Sequence, residues 1–145
     1  MGLVDYFIVM PKRCLIIADD LTGGADAGAQ FAKRGLNTLL ISLKDYPHID
    51  FTKYLEKDVL VINTDSRGLP SEKAFHLVSG LLKTYDKRHF PIIYKKIDST
   101  LRGNIGYETD AILKETNISL CFMAPSYPEQ RRTLVGGIMI AGERP

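Results

Sequence analysis

Tryptophan is absent from the 145 residues, cysteine occurs twice, histidine three times, and basic side chains barely outnumber acidic ones, 19 against 17. Each scarcity removes a class of protein. Cys14 and Cys121 lack any metal-ligand spacing, which excludes a disulfide scaffold and a zinc site. Both sit inside apolar runs and read as buried free thiols in a reducing compartment. His48, His76 and His89 have no ligand pattern around them and read as surface or partly buried, not catalytic. A formal charge of +2 falls short of the basic footprint of a nucleic-acid binder. No apolar run approaches the roughly 18–20 residues of a spanning helix. The early run Tyr6 to Pro11 is short and follows Asp5, so neither membrane segment nor signal peptide is expected, and the expected location is cytoplasmic.

What is present is an average globular composition, 45% hydrophobic and 25% charged, with 12 Gly and 7 Pro. One domain of this size buries about 68–70% of its unfolded surface, enough for a real core. Cys14 to Ala18, Thr38 to Ile41, Val59 to Ile62, Pro91 to Tyr94 and Leu120 to Met123 are short continuous apolar runs, the signature of strands buried on both faces. Between them lie three helical segments. The first is capped by Thr22 and runs to Arg34, with a small-residue face of Ala25, Gly28, Ala29 and Ala32, and stops at Gly35. The second starts at Pro70 and Ser71, with Ala74, Leu77, Val78, Leu81, Leu82 and Tyr85 in a 3.6-residue rhythm. The third is capped by Asn104 and reaches about Thr116. Apolar strands alternating with helices predict an α/β fold: an open, mostly parallel, three-layer sheet with helices on both faces, Rossmann-like in general form. Strand order is not readable from this pattern.

The polar residues fall at informative places. Asp19-Asp20 follow the first strand, Thr64-Asp65-Ser66-Arg67 the third, Asp98 to Gly103 the fourth and Ala124-Pro125-Ser126 the fifth. In a parallel sheet these carboxyl ends share one rim, where open α/β proteins bind ligands. Side chains alternate along a strand, so only one of Lys95 and Lys96 can face a given side, and Lys96 is nearer the rim. Simpler readings exist. An acid pair before a helix also serves as a cap, Asp65-Ser66-Arg67 also makes a turn, and the lysines with Asp98 also make a structural ion pair. Gly23, Gly24 and Gly28 do not satisfy the dinucleotide fingerprint, and suit a tight turn and close helix packing. Carboxylates accept from sugar hydroxyls, whereas Arg and Lys recognise a carboxylate or phosphate. A four-carbon sugar acid has about nine heavy atoms, so micromolar binding at about 8 kcal/mol asks about 0.9 kcal/mol of each. Nearly every oxygen must be contacted, which a dense polar rim can do.

The ordered motifs Ile17-Ala18-Asp19-Asp20-Leu21-Thr22-Gly23, Thr64-Asp65-Ser66-Arg67 with Leu69-Pro70, Tyr94-Lys95-Lys96-Ile97-Asp98-Ser99-Thr100-Leu101-Arg102-Gly103-Asn104, and Ala124-Pro125 with Pro128-Glu129 and Gly136-Gly137 resemble the N-terminal, sugar-binding domain of the four-carbon acid sugar kinase family. The resemblance covers about Leu15 to the end. It implies phosphorylation of a tetronate such as threonate, erythronate or a 3-oxo-tetronate on its terminal hydroxyl by ATP, with the nucleotide held mainly by a separate C-terminal domain. Family chains are far longer, so 14–145 reads as a partial sugar-acid-binding domain of a two-domain kinase, incomplete at the C-terminus, and Met1 to Arg13 as an extension. Arg131 stands where a glycine is more usual.

The resemblance and the shared rim together assign Asp20 and Asp98 to hydroxyl recognition, one of them acting as base. They assign Lys96, Arg67 and Arg102 to the carboxylate and incoming phosphate, with Asp19 and Ser99 in support. ATP and Mg²⁺ belong to the full-length family, Mg²⁺ arriving with ATP rather than in a protein cage. Neither is expected to bind this segment tightly, which alone is expected to be inactive. The expected partners are a small sugar acid and either a nucleotide-binding domain in trans or a second copy, because a sheet cut short exposes an unpaired edge. Two alternatives remain at this point: a non-catalytic sugar-acid-binding fragment or remnant, and a phospho-receiver domain, which would need a lysine where Ala124-Pro125 stand.

Overall fold

A computed structural model describes residues 13–43 and 48–142. The expected extension therefore lies, apart from Arg13, outside the described residues. Cys14–Ala18 forms strand β1, every residue of it buried, as a run without polar alternation requires. Next come helix α1 (Leu21–Ala32), strand β2 (Thr38–Ser42), a 3-10 turn at Phe51–Tyr54 and strand β3 (Val59–Asn63). Helix α2 (Ser71–Leu82), strand β4 (Ile92–Lys96) and helix α3 (Ile105–Thr116) follow, then a 3-10 turn at Pro128–Gln130 and a hairpin of β5 (Arg132–Val135) and β6 (Ile138–Ala141).

β1 to β4 make one parallel sheet in the order β2-β3-β1-β4. Helices cover both faces, as expected for this α/β class. Ala27 and Phe31 of α1 pack on Cys14, Ile16, Val59 and Val61. On the other face Val78, Leu81 and Leu82 of α2 and Ala111 and Ile112 of α3 pack on Leu15, Ile17, Leu60 and Ile62. The order inserts β3 between β1 and β2, whereas the receiver-type order 2-1-3-4-5 keeps β1 beside β2. The receiver reading is therefore discarded. Neighbouring β1 and β3 send their chains to opposite faces, into α1 and α2, so a crevice opens between their carboxyl ends.

Four expectations are corrected. The cap of α1 is Asp20, not Thr22: Asp20 is extended (φ −143°, ψ 157°) and its Oδ1 accepts from the Gly23 amide at 3.0 Å. The packed stripe is Gly24, Ala27, Gly28 and half-buried Phe31, while Ala25, Ala29 and Ala32 are exposed. Space rather than hydropathy selects this face. A Cβ at Gly24 would lie 3.1 Å from the Ala18 Cβ, and one at Gly28 3.1 Å from the Val61 Cγ2.

The expected fifth strand does not form. Leu120, Phe122 and Met123 are 65%, 88% and 57% exposed, and β4 is the sheet edge. Apolarity makes a strand only when a neighbouring backbone pairs with it, and periodicity cannot supply that neighbour. Cys121 lies in this segment and is exposed rather than buried, while Cys14 is buried, its thiol pushed up to about 11 by desolvation. The hairpin lies outside the expected elements. Gly136 (φ 56°) and Gly137 (φ 83°) supply the two left-handed residues that a tight turn between β5 and β6 requires.

Replacement of Gly28 by Val should cost about 1–3 kcal/mol of stability, because α1 must move off Val61. Urea unfolding of the variant measures this, and wild-type stability would contradict the packing.

Candidate functional site

Asp19 follows a fully buried strand and is itself only 2% exposed, so its charge needs a partner. Arg67, at the end of the neighbouring loop after β3, is that partner. Its Nε and Nη2 donate to Asp19 Oδ2 and Oδ1 at 2.8 and 2.9 Å, and Nη1 and Nη2 donate to Asp20 Oδ2 and Oδ1 at 2.9 and 2.8 Å. A planar fork matches two carboxylates in a way that an ammonium could not. Asp98 Oδ1 stands 3.6 Å from Nη1. These bonds, those to Asp19 first, raise the Arg67 pKa further.

Asp98 closes the cluster from the loop after β4. It is buried, and Oδ2 accepts from the Thr100 amide (3.0 Å), the Thr100 hydroxyl (2.5 Å) and Arg102 Nε (3.0 Å). Oδ1 accepts from Arg102 Nη2 at 2.9 Å. Arg102 first, then Thr100, holds the Asp98 carboxyl well below the usual carboxylate range despite burial. The Arg102 side chain itself is 68% exposed, and no bond engages its Nη1 among the described residues.

The lysine pair divides as alternation demands. Lys96 lies on the α1 side, its Nζ donating to the Ile97 carbonyl at 2.8 Å, and lines the groove. Lys95 lies on the opposite face, 2.7 Å from Glu108 Oε2. The structural ion pair is thus Lys95 with Glu108, a residue that the sequence reading does not single out. Its only signal is that a lysine inside a buried strand needs a counter-charge somewhere. Asn104 is also reassigned. It makes no side-chain cap on α3; its Nδ2 donates to the carbonyls of Ser66 (3.0 Å) and Leu69 (2.9 Å), and its Oδ1 accepts from Ser71 Oγ at 2.9 Å.

A groove of about 1020 Å³ runs between α1 and the segment 124–130, and Asp20, Arg67, Lys96, Asp98, Ser99 and Arg102 all line it. Asp19 lies beneath, behind Arg67. Ser99 Oγ accepts from Arg132 Nη1, which joins the hairpin to the rim. His48 and His76 are exposed and His89 is half-buried, and none of the three lines this groove. Asp19, Asp20 and Asp98 converge on a guanidinium, and that cation takes the place a divalent ion would need. The residues present therefore do not fit a resident Mg²⁺, and among the described residues no three acidic, His or Cys side chains are grouped to hold a metal. Among the described residues no helix is long and apolar enough to cross a membrane.

Residues 14–145 match the family described as the sugar-binding N-terminal domain. The chain is 39% identical over 127 residues to a D-threonate kinase of Salmonella typhimurium, covering 86% of this chain and 29% of that one. It is 35% identical over 136 residues to a D-erythronate kinase of Heliobacterium modesticaldum, covering 92% and 30%. A solved structure from Bordetella bronchiseptica, a domain-swapped dimer with bound citrate, matches with a TM-score of 0.77 at 31% identity over 91% of this chain and 33% of that one. The chain thus spans under a third of the length of the two kinases.

Arg67→Ala leaves Asp19 buried and unpaired and should cost about 3–5 kcal/mol. Arg67→Lys should recover little of it, since one ammonium cannot serve both carboxylates; urea melts of the two variants check this. The lowered Asp98 value has a defined pH signature. Its bonds contribute fully above the unfolded carboxyl value, about pH 4, and are lost as pH falls from there through the lower folded value. Acid titration of stability should therefore show a steep acid limb that becomes shallower in Arg102→Leu; an unchanged limb would refute Arg102 as its main source.

Proposed function

The chain belongs to the family of sugar-binding N-terminal domains, and we propose that its groove binds a four-carbon sugar acid as the recognition half of an ATP-dependent kinase acting on the acid's terminal hydroxyl. The observation that carries this reading is a carboxylate with spare acceptor capacity beside two cations with spare donors. Asp20 Oδ1 accepts from Gly23 and Arg67, but Oδ2 accepts from Arg67 alone, and the side chain is 26% exposed. A carboxylate offers about four acceptor sites, so one remains for a sugar hydroxyl. Asp98 Oδ1 also accepts a single bond, from Arg102, but its side chain is only 9% exposed, so its open site is far less accessible. Asp20 is therefore the better candidate to orient or deprotonate the attacking hydroxyl, with Asp98 positioning Arg102.

Lys96 and Arg102 take the ligand's carboxylate and the incoming phosphate in this proposal, with Ser99 in support. Arg67 acts through the acid pair that it holds rather than by contact with the ligand. Phosphoryl transfer depends mainly on positioning and charge stabilisation, which such a rim supplies. ATP with Mg²⁺ enters as a substrate. Citrate in the Bordetella relative, a small polycarboxylate, is the kind of anion that such cations attract. Self-association belongs to the same proposal, because Ile92 and Tyr94 on edge strand β4 are 55% and 40% exposed and Leu120, Phe122 and Met123 are exposed as well. Light scattering should show concentration-dependent association, and a monodisperse monomer would refute that part.

Titration calorimetry with D-threonate, D-erythronate and the uncharged polyol erythritol tests the central reading. The acids should bind and erythritol should not. Lys96→Met and Arg102→Ala should each weaken the acid by about tenfold or more, the usual effect of losing a hydrogen bond to a charged group. Equal binding of acid and polyol, or no binding of any acid, would sink the proposal. Addition of ATP and Mg²⁺ with detection of ADP then separates catalysis from binding alone.

A further inference from the structure

Behind the groove lies a buried polar assembly for which the proposed recognition has no use. Glu108 in α3 is fully buried, and the Lys95 side chain paired with it is 10% exposed. Glu108 Oε1 accepts from Ser66 Oγ, and Ser66 is also fully buried. Ser66 Oγ is the donor in this bond and spends its one proton on Glu108. The Thr64 hydroxyl lies 2.7 Å from Ser66 Oγ and 2.9 Å from the carbonyl of Ala18, the residue just before Asp19, and its single proton serves one of the two at a time. The Ser66 carbonyl is held as well, by Asn104 Nδ2 at 3.0 Å. Asn104 and Glu108 stand one helical turn apart, joined by the Glu108 amide to the Asn104 carbonyl at 2.9 Å. The start of α3 therefore grips Ser66 at both its side chain and its carbonyl.

Ser66 directly precedes Arg67, and the turn it occupies contains Asp65 at φ 51°, a left-handed conformation that Asp adopts more readily than most non-glycine residues and that reverses the chain ahead of Ser66. We propose that Glu108, neutralised by Lys95, is a positioning residue. It fixes the 64–67 turn so that the Arg67 fork meets Asp19 and Asp20 and leaves one acceptor site of Asp20 open. Its effect on ligand binding rests on the sugar-acid reading above, while its effect on Arg67 does not.

The test uses the full chain with Lys95→Met/Glu108→Leu and, separately, Ser66→Ala. Removal of both charges together leaves no unpaired charge in the Lys95–Glu108 pocket, so the double variant should still fold, its melting temperature lowered only as far as the Arg67 fork loosens from Asp19. D-threonate or D-erythronate affinity should nevertheless fall about tenfold or more in both variants, the scale of one charge-assisted bond lost at the site. The NMR signal of the Arg67 Nε–H, protected from exchange by its bond to Asp19, should lose protection in both. Wild-type affinity and a protected Nε–H in either folded variant would overturn the proposal, and Ser66→Ala decides the matter should the double variant not fold. Should wild type bind neither acid, the functional reading fails, and the Nε–H signal still decides the role of Glu108.

Discussion

The site is organised by a single requirement, that the charge on Asp19 be neutralised where water cannot reach it. Asp19 ends a strand whose every residue is buried, and the Arg67 fork is the means of neutralisation. Because the fork also grips Asp20, the first turn of α1, the end of β1 and the loop after β3 are held as one unit. The loop after β4 joins it by close approach as well as by charge. Gly103 sits at φ 90°, and a Cβ there would lie 2.8 Å from Asp19 Oδ2. A side chain at that position would push the loop away from the acid pair, so glycine is demanded both by conformation and by space.

The rim shows a division of labour among residues of like charge. Arg67 and Lys95 are turned inward on carboxylates and hold the frame, while Lys96 and Arg102 keep donors directed at the groove. The acids divide by access: Asp19 and Asp98 are buried among protein partners, and Asp20 alone combines partial exposure with an open acceptor site. Ion pairs that are already formed reduce the rearrangement needed when a charged ligand arrives, which is the physical value of preorganisation. Asp20 is also the cap of α1, so the capping reading of the acid pair holds for the same side chain that the proposal assigns to the ligand.

Much of the fold was legible. Cys14–Ala18 coincides with its predicted strand, α3 ends at Thr116 as expected, and the α2 rhythm through Val78, Leu81 and Leu82 faces the core. The readings that failed share a cause. Thr22 and Asn104 are good capping residues, but the cap goes to whichever side chain the tertiary frame brings to the open amides, and Asn104 is drawn instead to the carbonyls of a different loop. Alanine scores as apolar, yet α1 turns Gly24 and Gly28 inward because only they let it lie against Ala18 and Val61. Leu120 to Met123 has the composition of a buried strand and no backbone partner among the described residues. Arg131, at φ 52°, occupies the conformation that a glycine there would take without strain.

By itself the amino-acid sequence determined the α/β class, the elements that flank the site and the list of polar residues that follow strand ends, because periodicity and punctuation are local properties. It also determined that Lys95 and Lys96 must face opposite ways, since alternation is a property of the strand itself. Only the tertiary structure decided that β3 lies between β1 and β2, that Arg67 faces inward to the acid pair, and that Glu108 stands behind Ser66. Those facts are pairings between residues far apart in the chain, and local pattern carries no record of which distant group will satisfy a buried charge.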